Sequence, residues 1–224
     1  MKTVFTTLAL LFGSGLAATL EDAQKLLSAN QYSQAAQTAW SLNTEAGDLL
    51  AARALITGYW KLNVNQRDDA MADAEKYAAR ALRRRETAEA HFLLGSAIGY
   101  AIAVRGISGA TRVQEVREQY ERALVLDPNH SEANFALGQW HLNVPPFLGG
   151  KLPEAERLFA KAVEISPKRV SYRLAYADAL MKISARNKRR AIAQLEEGLR
   201  IVPLNDDMKA IQDQIRKKLE ALRG

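Results

Sequence analysis

The sequence predicts an all-α chain, an α-solenoid of antiparallel helix pairs closed by a C-terminal capping helix. Three observations lead there. A small–bulky–small–Pro pattern recurs at offsets 0, 4, 7 and 12. The phrase Glu-Ala-x-Phe-x-Leu-Gly occurs twice, at Glu89–Gly95 and Glu132–Gly138. Residues 205–224 carry a single apolar stripe at helical spacing. The chain has 224 residues, 48% hydrophobic and 25% charged, which suffices for a buried core. Six Pro and thirteen Gly are too few for a low-complexity or disordered chain.

The N-terminus, "MKTVFTTLALLFGSGLAATLEDA", reads as a leader. Lys2 precedes an apolar run from Val4 to Phe12, and Gly15-Leu16-Ala17 supplies small residues for cleavage after Ala17, with Ala18 the alternative. Residues 1–17 are therefore expected to be a secretory signal peptide; an uncleaved anchor is the other reading. The run is short for a bilayer span, and no longer one follows, so no membrane span is expected after cleavage. The chain contains no Cys, which excludes a lipid-attachment cysteine, a disulfide framework and a thiolate metal site. Its formal charge of +6 is a mild excess. The densest basic runs, Arg83–Arg85 and Lys188–Arg190, lack the aromatic or loop partners of a nucleic-acid stripe. They read as solvated surface, so no nucleic-acid partner is expected.

The repeat follows. Ala155, Phe159, Ala162 and Pro167 define it; Val116, Tyr120, Ala123 and Pro128 match one segment earlier, and Ala191, Leu195, Gly198 and Pro203 one segment later. Ala74, Ala78 and Ala81 keep the phase without the Pro, and Ala35, Ala39 and Leu42 repeat it weakly. Offsets 0, 4 and 7 share one helical face. Small residues there let a second helix approach, a bulky one fills the gap, and Pro ends the helix. Another helix precedes each of these. Glycine inside it costs about 1 kcal/mol relative to Ala, so its recurrence at Gly95 and Gly138 predicts close crossings.

These residues resemble the tetratricopeptide repeat (TPR) family over about residues 20 to 203, most clearly from Ala88 onward. The resemblance implies a right-handed superhelix. The expected organisation is a signal peptide (1–17), a TPR-like solenoid (18–203) and a capping helix (204–224). In the capping helix Met208, Ile211, Ile215, Leu219 and Leu222 face the last repeat, while Asn205 or Asp206 caps its start. One departure from the family recurs. Gly95 to Val116 spans 21 residues and Gly138 to Ala155 spans 17, against about 12 in the family. Enlarged turns are thus expected at 105–112 and 144–150, projecting from one edge. In the second, Pro145 and Pro146 stop a helix, Gly149 and Gly150 allow left-handed backbone, and Pro153 enters the next first turn.

Catalytic motifs are absent: there is no phosphate loop, no GxSxG and no HExxH. Glu118, Glu121, Glu154 and Glu156 read as solvated faces, and His91, His130 and His141 as structural. No catalytic residue, cofactor or metal is expected. The family resemblance implies that first helices line a concave, partner-binding face. Its positions here are Glu89, Phe92, Ser96 and Tyr100, then Glu132, Phe135, Gln139 and Asn143, then Leu174, Asp178 and Lys182. Residues Phe92 to Val104 carry no charge, and a helix apolar all round must be covered on all sides. Either the protein's own elements fill that groove or it holds an apolar ligand or partner segment.

Two finer resemblances bear on function. The leader, irregular repeats, apolar interior and "PPFLGG" turn are similar to the periplasmic T-component proteins of TRAP transporters, which implies an apolar channel and a substrate-binding partner. "YERALVLDPNHSEANFALGQWH" is similar to the repeat region of microtubule-dynamics-regulator-like proteins. The expected function is an exported, non-enzymatic TPR scaffold, in a bacterial periplasm or outside the cell, binding a protein or peptide in its groove. The alternative is a transporter accessory or carrier holding a hydrophobic small molecule.

Overall fold

Helix pairs follow one another along residues 18–223, the residues that the structure, a computed structural model, describes. The expected signal peptide lies outside them. Among the described residues there are eleven α-helices and no strand. α1 (Leu20–Ser28) pairs with α2 (Tyr32–Ser41), α3 (Glu45–Gly58) with α4 (Val64–Arg84), and α5 (Ala88–Arg105) with α6 (Val113–Leu126). α7 (Ser131–Asn143) pairs with α8 (Leu152–Ile165), and α9 (Val170–Ile183) with α10 (Lys188–Arg200). α11 (Asp206–Arg223) packs on α9 and α10. No helix among the described residues is long and apolar enough to cross a membrane.

Local chemistry starts the helices where it should. Thr19 and Asp22 form a reciprocal capping box on α1. Thr44 and Thr87 accept the first free N–H groups of α3 and α5. Asn205 caps α11, its Oδ1 accepting from the Met208 N–H at 2.9 Å. The repeat positions all turn inward: Val116, Tyr120 and Ala123, Ala155, Phe159 and Ala162, and Ala191, Leu195 and Gly198 are buried. Ile215 and Leu219 of α11 are buried against the last pair, with Met208, Ile211 and Leu222 partly so. Gln212 does a second job. Its Nε2 donates to the Gly198 and Ile201 carbonyls at 3.1 and 2.7 Å, satisfying acceptors at the end of α10.

Two details differ from the sequence reading. Within the basic run at 83–85, Arg84 is more than solvated surface. It and Arg80 bond the carboxylate of Asp48, which is 0% exposed on α3. A buried carboxylate needs such partners because desolvation penalises its charge. Arg85 pairs with Glu45 at 2.8 Å. In the second enlarged turn only Gly149 is left-handed, at φ +100°. Gly150 is required for close approach instead, since a Cβ there would lie 1.7 Å from the Val144 carbonyl oxygen. Pro153 stands in the first turn of α8.

Candidate binding pocket

The same helical spacing that buries one face of each first helix turns another face toward a shared space. α3, α5, α7 and α9, with α6, wall a cavity of about 800 Å³. From α5 come Phe92, Ser96 and Tyr100; from α7 come Glu132, Phe135, Gln139 and Asn143. These are seven of the eight positions that the family resemblance marks on the two helices; the eighth, Glu89, does not line the cavity. α3 adds Ile56, the 3-10 turn after it adds Trp60, and α6 adds Val116 and Tyr120 from the pair's second helix. No element among the described residues fills the cavity, so the apolar run of α5 is covered on its other side only. Ala97, Ile98 and Ala101 are buried in the core, whereas Leu93, Tyr100 and Ile102 border the pocket.

Aromatic rings give the wall its shape. Tyr100 stacks on Tyr59 at 4.4 Å between ring centres and meets the edge of Trp60 at 6.4 Å. Phe135 stacks on Tyr172 of α9 at 4.4 Å and meets Phe159 edge-on. Burial pushes the Tyr100 and Tyr172 phenols up, so both are neutral hydrogen-bonding groups at neutral pH.

One end of the pocket is charged. Arg53 of α3 donates from Nε and Nη2 to Glu89 Oε1 at 2.9 and 2.6 Å. It also donates from Nη1 and Nη2 to the Glu132 oxygens at 3.2 and 2.9 Å. Arg169 reaches Glu132 Oε1 from both terminal nitrogens at 3.3 Å. His130 caps α7, its Nδ1 accepting the Ala133 N–H at 3.2 Å. Its Nε2 then carries the hydrogen and faces Glu89 Oε2 at 3.2 Å. Burial pushes both carboxyls up, but the His130 hydrogen bond with the charge and hydrogen bonds of Arg53 on Glu89, and the hydrogen bonds and charge of Arg53 with the charge of Arg169 on Glu132, outweigh it and hold both below the usual value.

Donor atoms of Glu89, His130 and Glu132 lie within 4.8 Å of one another, a spacing that could hold a cation. The Arg53 guanidinium already bonds both carboxylates, and the one free imidazole lone pair caps a helix. A metal would have to displace both, so the chemistry of the set is that of an ion-pair hub. His91 bonds Gln119 Oε1 through Nδ1 at 2.7 Å. His141 is buried, and burial holds its imidazole below the usual range.

The remaining marked positions lie elsewhere. Glu89 stands behind the wall, paired as described. Leu174 packs against the C-terminal core. Asp178 pairs with Lys218 of α11, and Lys182 donates to Asn143 Oδ1 at 2.9 Å. From α9 and its cap the pocket takes Tyr172 and Arg169 instead. α9 lacks the Leu-Gly mark, which leaves its register open in sequence. Aligning the polar–aromatic pair Glu132–Phe135 with Arg169–Tyr172, both three residues apart, was the available signal. Arg53 had none, because α3 carries no copy of the Leu-Gly phrase.

The second enlarged turn is tied to the start of α6, which follows directly on the first. Residues 106–112 coil as a 3-10 segment against α5, where a Cβ on Gly109 would lie 2.9 Å from Ile102 Cα. Gln114 Nε2 donates to the Leu148 carbonyl at 2.6 Å, and Trp140 Nε1 to the Val113 carbonyl at 2.9 Å. Phe147, at the tip of the second turn, is 85% exposed.

The family described as TRAP transporter T-component matches residues 2–222. Among solved structures, a thermophilic TPR protein of Thermus thermophilus is similar over 88% of this chain and 96% of its own, with 14% identity and a TM-score of 0.67. The MamA protein covers 84% of this chain and 96% of its own, at 16% identity and a TM-score of 0.52. The C-terminal part of a TPR repeat-containing protein from Cytophaga hutchinsonii covers 88% and 70%, at 13% identity and a TM-score of 0.50. At these identities the likeness is one of fold: the chain is a TPR-like solenoid. No curated protein matches it in sequence.

Proposed function

The chain belongs to the TRAP transporter T-component family, and from that premise we propose that it is an exported, non-catalytic accessory of such a transporter that holds a hydrophobic small molecule. The observation that carries this reading is the aromatic-walled cavity of about 800 Å³. Small-molecule sites are mostly apolar clefts of about 300–1,000 Å³ with a few placed polar groups. An apolar molecule entering it removes ring surface from water, and the hydrophobic effect supplies the affinity. The wall's charged groups are ion-paired, with no nucleophile beside a base, which supports a binding role over a catalytic one.

The test uses Nile red, an uncharged dye that fluoresces in apolar sites. The purified chain is expected to bind it. Gly99→Leu should abolish binding without unfolding, since Gly99 lines the cavity and a Cβ there would meet only ordinary contacts at 3.7 Å. Gln139→Trp should do the same from the opposite helix. Unchanged dye binding in both variants would remove the pocket as the site. Native mass spectrometry of protein from its own host should show a lipid-sized adduct.

A protein-docking role at the turn edge is the second reading, favoured by the exposed Phe147 ring. Phe147→Ser should weaken association with the transporter's substrate-binding protein and leave dye binding intact. Equal association would dismiss that edge as the docking site.

A further inference from the structure

Resting on that reading of the pocket, we infer that its ligand is an amphiphile with a single anionic head, a carboxylate or a group like it, seated on Arg169 and Tyr172. The charged side chains of the wall are Arg53, Glu132 and Arg169. They gather at one end because Glu132 bonds both arginines. The rest of the wall is rings, aliphatic groups and neutral polar groups. A molecule filling it lays an apolar body against the rings and brings its head to the charged end.

The sign of that head follows from how each charge is already used. Arg53 is committed, with bonds of 2.6 to 3.2 Å to two carboxylates. Glu132 is surrounded: Oε2 takes Arg53, and Oε1 takes Arg53 and Arg169. A cationic head would enter between two guanidinium groups and find no free carboxylate oxygen. Arg169 differs. Its side chain is 48% exposed, and both contacts to Glu132 are long, at 3.3 Å to one shared oxygen. Its guanidinium lies over the Tyr172 ring at 4.8 Å and donates to the phenol oxygen at 3.0 Å. A guanidinium has five N–H donors in a planar fork, so Arg169 keeps donors for a bidentate carboxylate. If it turns to the ligand, Glu132 keeps Arg53 and is not left unpaired. Glu89 behind the wall brings the cluster to neutrality with Arg53, so the anion competes only for the loosely held charge.

Three probes of one tail length separate the head from the tail: laurate, dodecanol and dodecyltrimethylammonium, each below its micelle concentration, displacing Nile red from the full chain. Laurate is expected to bind at least about tenfold tighter than dodecanol, as charge-assisted bonds require, and the ammonium more weakly than either. Arg169→Gln should bring laurate to the level of dodecanol and leave dodecanol unchanged, while Arg169→Lys, a charge without the fork, recovers part of the difference. Dodecanol or the ammonium matching laurate, or Arg169→Gln retaining laurate affinity with native helicity, overturns the head-group assignment while the apolar pocket stands. Failure of Nile red itself to bind overturns the pocket reading and this inference together.

Discussion

The pairs α5–α6 and α7–α8 begin with the same phrase and use it differently. In the first, a Cβ on Gly95 would lie 2.8 Å from Tyr120 Cε1 and 3.0 Å from Gln119 Cβ. In the second, a Cβ on Gly138 would lie 3.4 Å from Leu158 and Phe159 atoms, an ordinary contact. Phe92 is buried, tilted against Tyr120 at 6.2 Å. Phe135 is only partly buried and stacks on the next pair through Tyr172. Glu89 and Glu132 both end on Arg53, and each also reaches forward, Glu89 to His130 and Glu132 to Arg169. Both phrases touch the next pair, Glu89 and Phe92 through His130, and Glu132 and Phe135 through Arg169 and Tyr172; what differs is the crossing within the pair, tight at Gly95 and looser at Gly138. The bulky residue opposite sets much of this. Tyr120 carries a hydroxyl that faces Ser96 Oγ at 3.4 Å and holds its ring against α5, whereas Phe159 packs without one.

The largest expected effect comes from removing what both phrases share. Arg53→Met leaves two partly buried carboxylates without their main partner and should cost about 2–3 kcal/mol at neutral pH, read by urea unfolding. Its pH dependence has a definite sign. Both carboxyls sit below their ordinary 4.5 in the folded chain, so their contribution is complete above that value and is lost as pH falls through the lower folded values. The gap between native and variant chains should therefore be widest above pH 4.5 and narrow in acid; a constant gap would mean that Arg53 acts by packing alone. Next in size, Gly95→Ala forces the Tyr120 ring aside and should cost about 1–3 kcal/mol. The smallest effect has the opposite direction: Gly138→Ala should stabilise by up to about 1 kcal/mol, because helix propensity improves where space exists. Equal thermal shifts for the two glycine variants would erase the proposed difference between the pairs.

Much of the architecture was legible because it rests on neighbours in sequence. Ala123, Ala162 and Gly198 are buried at the phase that the repeat assigns them, and α11 covers the last pair as its stripe predicts. Both enlarged turns could be located from the lengthened Gly-to-helix distances, and the second is tied to the first turn of α6 through Gln114 and Leu148. The pocket faces of α5 and α7 were legible only through the family resemblance, which supplied the register of the Leu-Gly phrase. α9 was not, because without a Leu-Gly mark nothing local fixes which of its faces is turned inward. The arginines were the least visible. Arg84 within a basic run looks like any solvated cation until Asp48, 36 residues earlier, is found buried beside it.

Periodicity and residue size determined, from the sequence alone, where helices form, which faces they bury and which neighbours pair, since those interactions act within a turn or between adjacent helices. Only the tertiary structure decided that Arg53 meets Glu132, 79 residues away, and that Arg169 joins them at the end of an apolar cavity. That convergence depends on how successive pairs rotate and close on one another. The rotation accumulates over several packed interfaces, each set by contacts such as the Phe135 ring on Tyr172, and no short stretch of the chain encodes it.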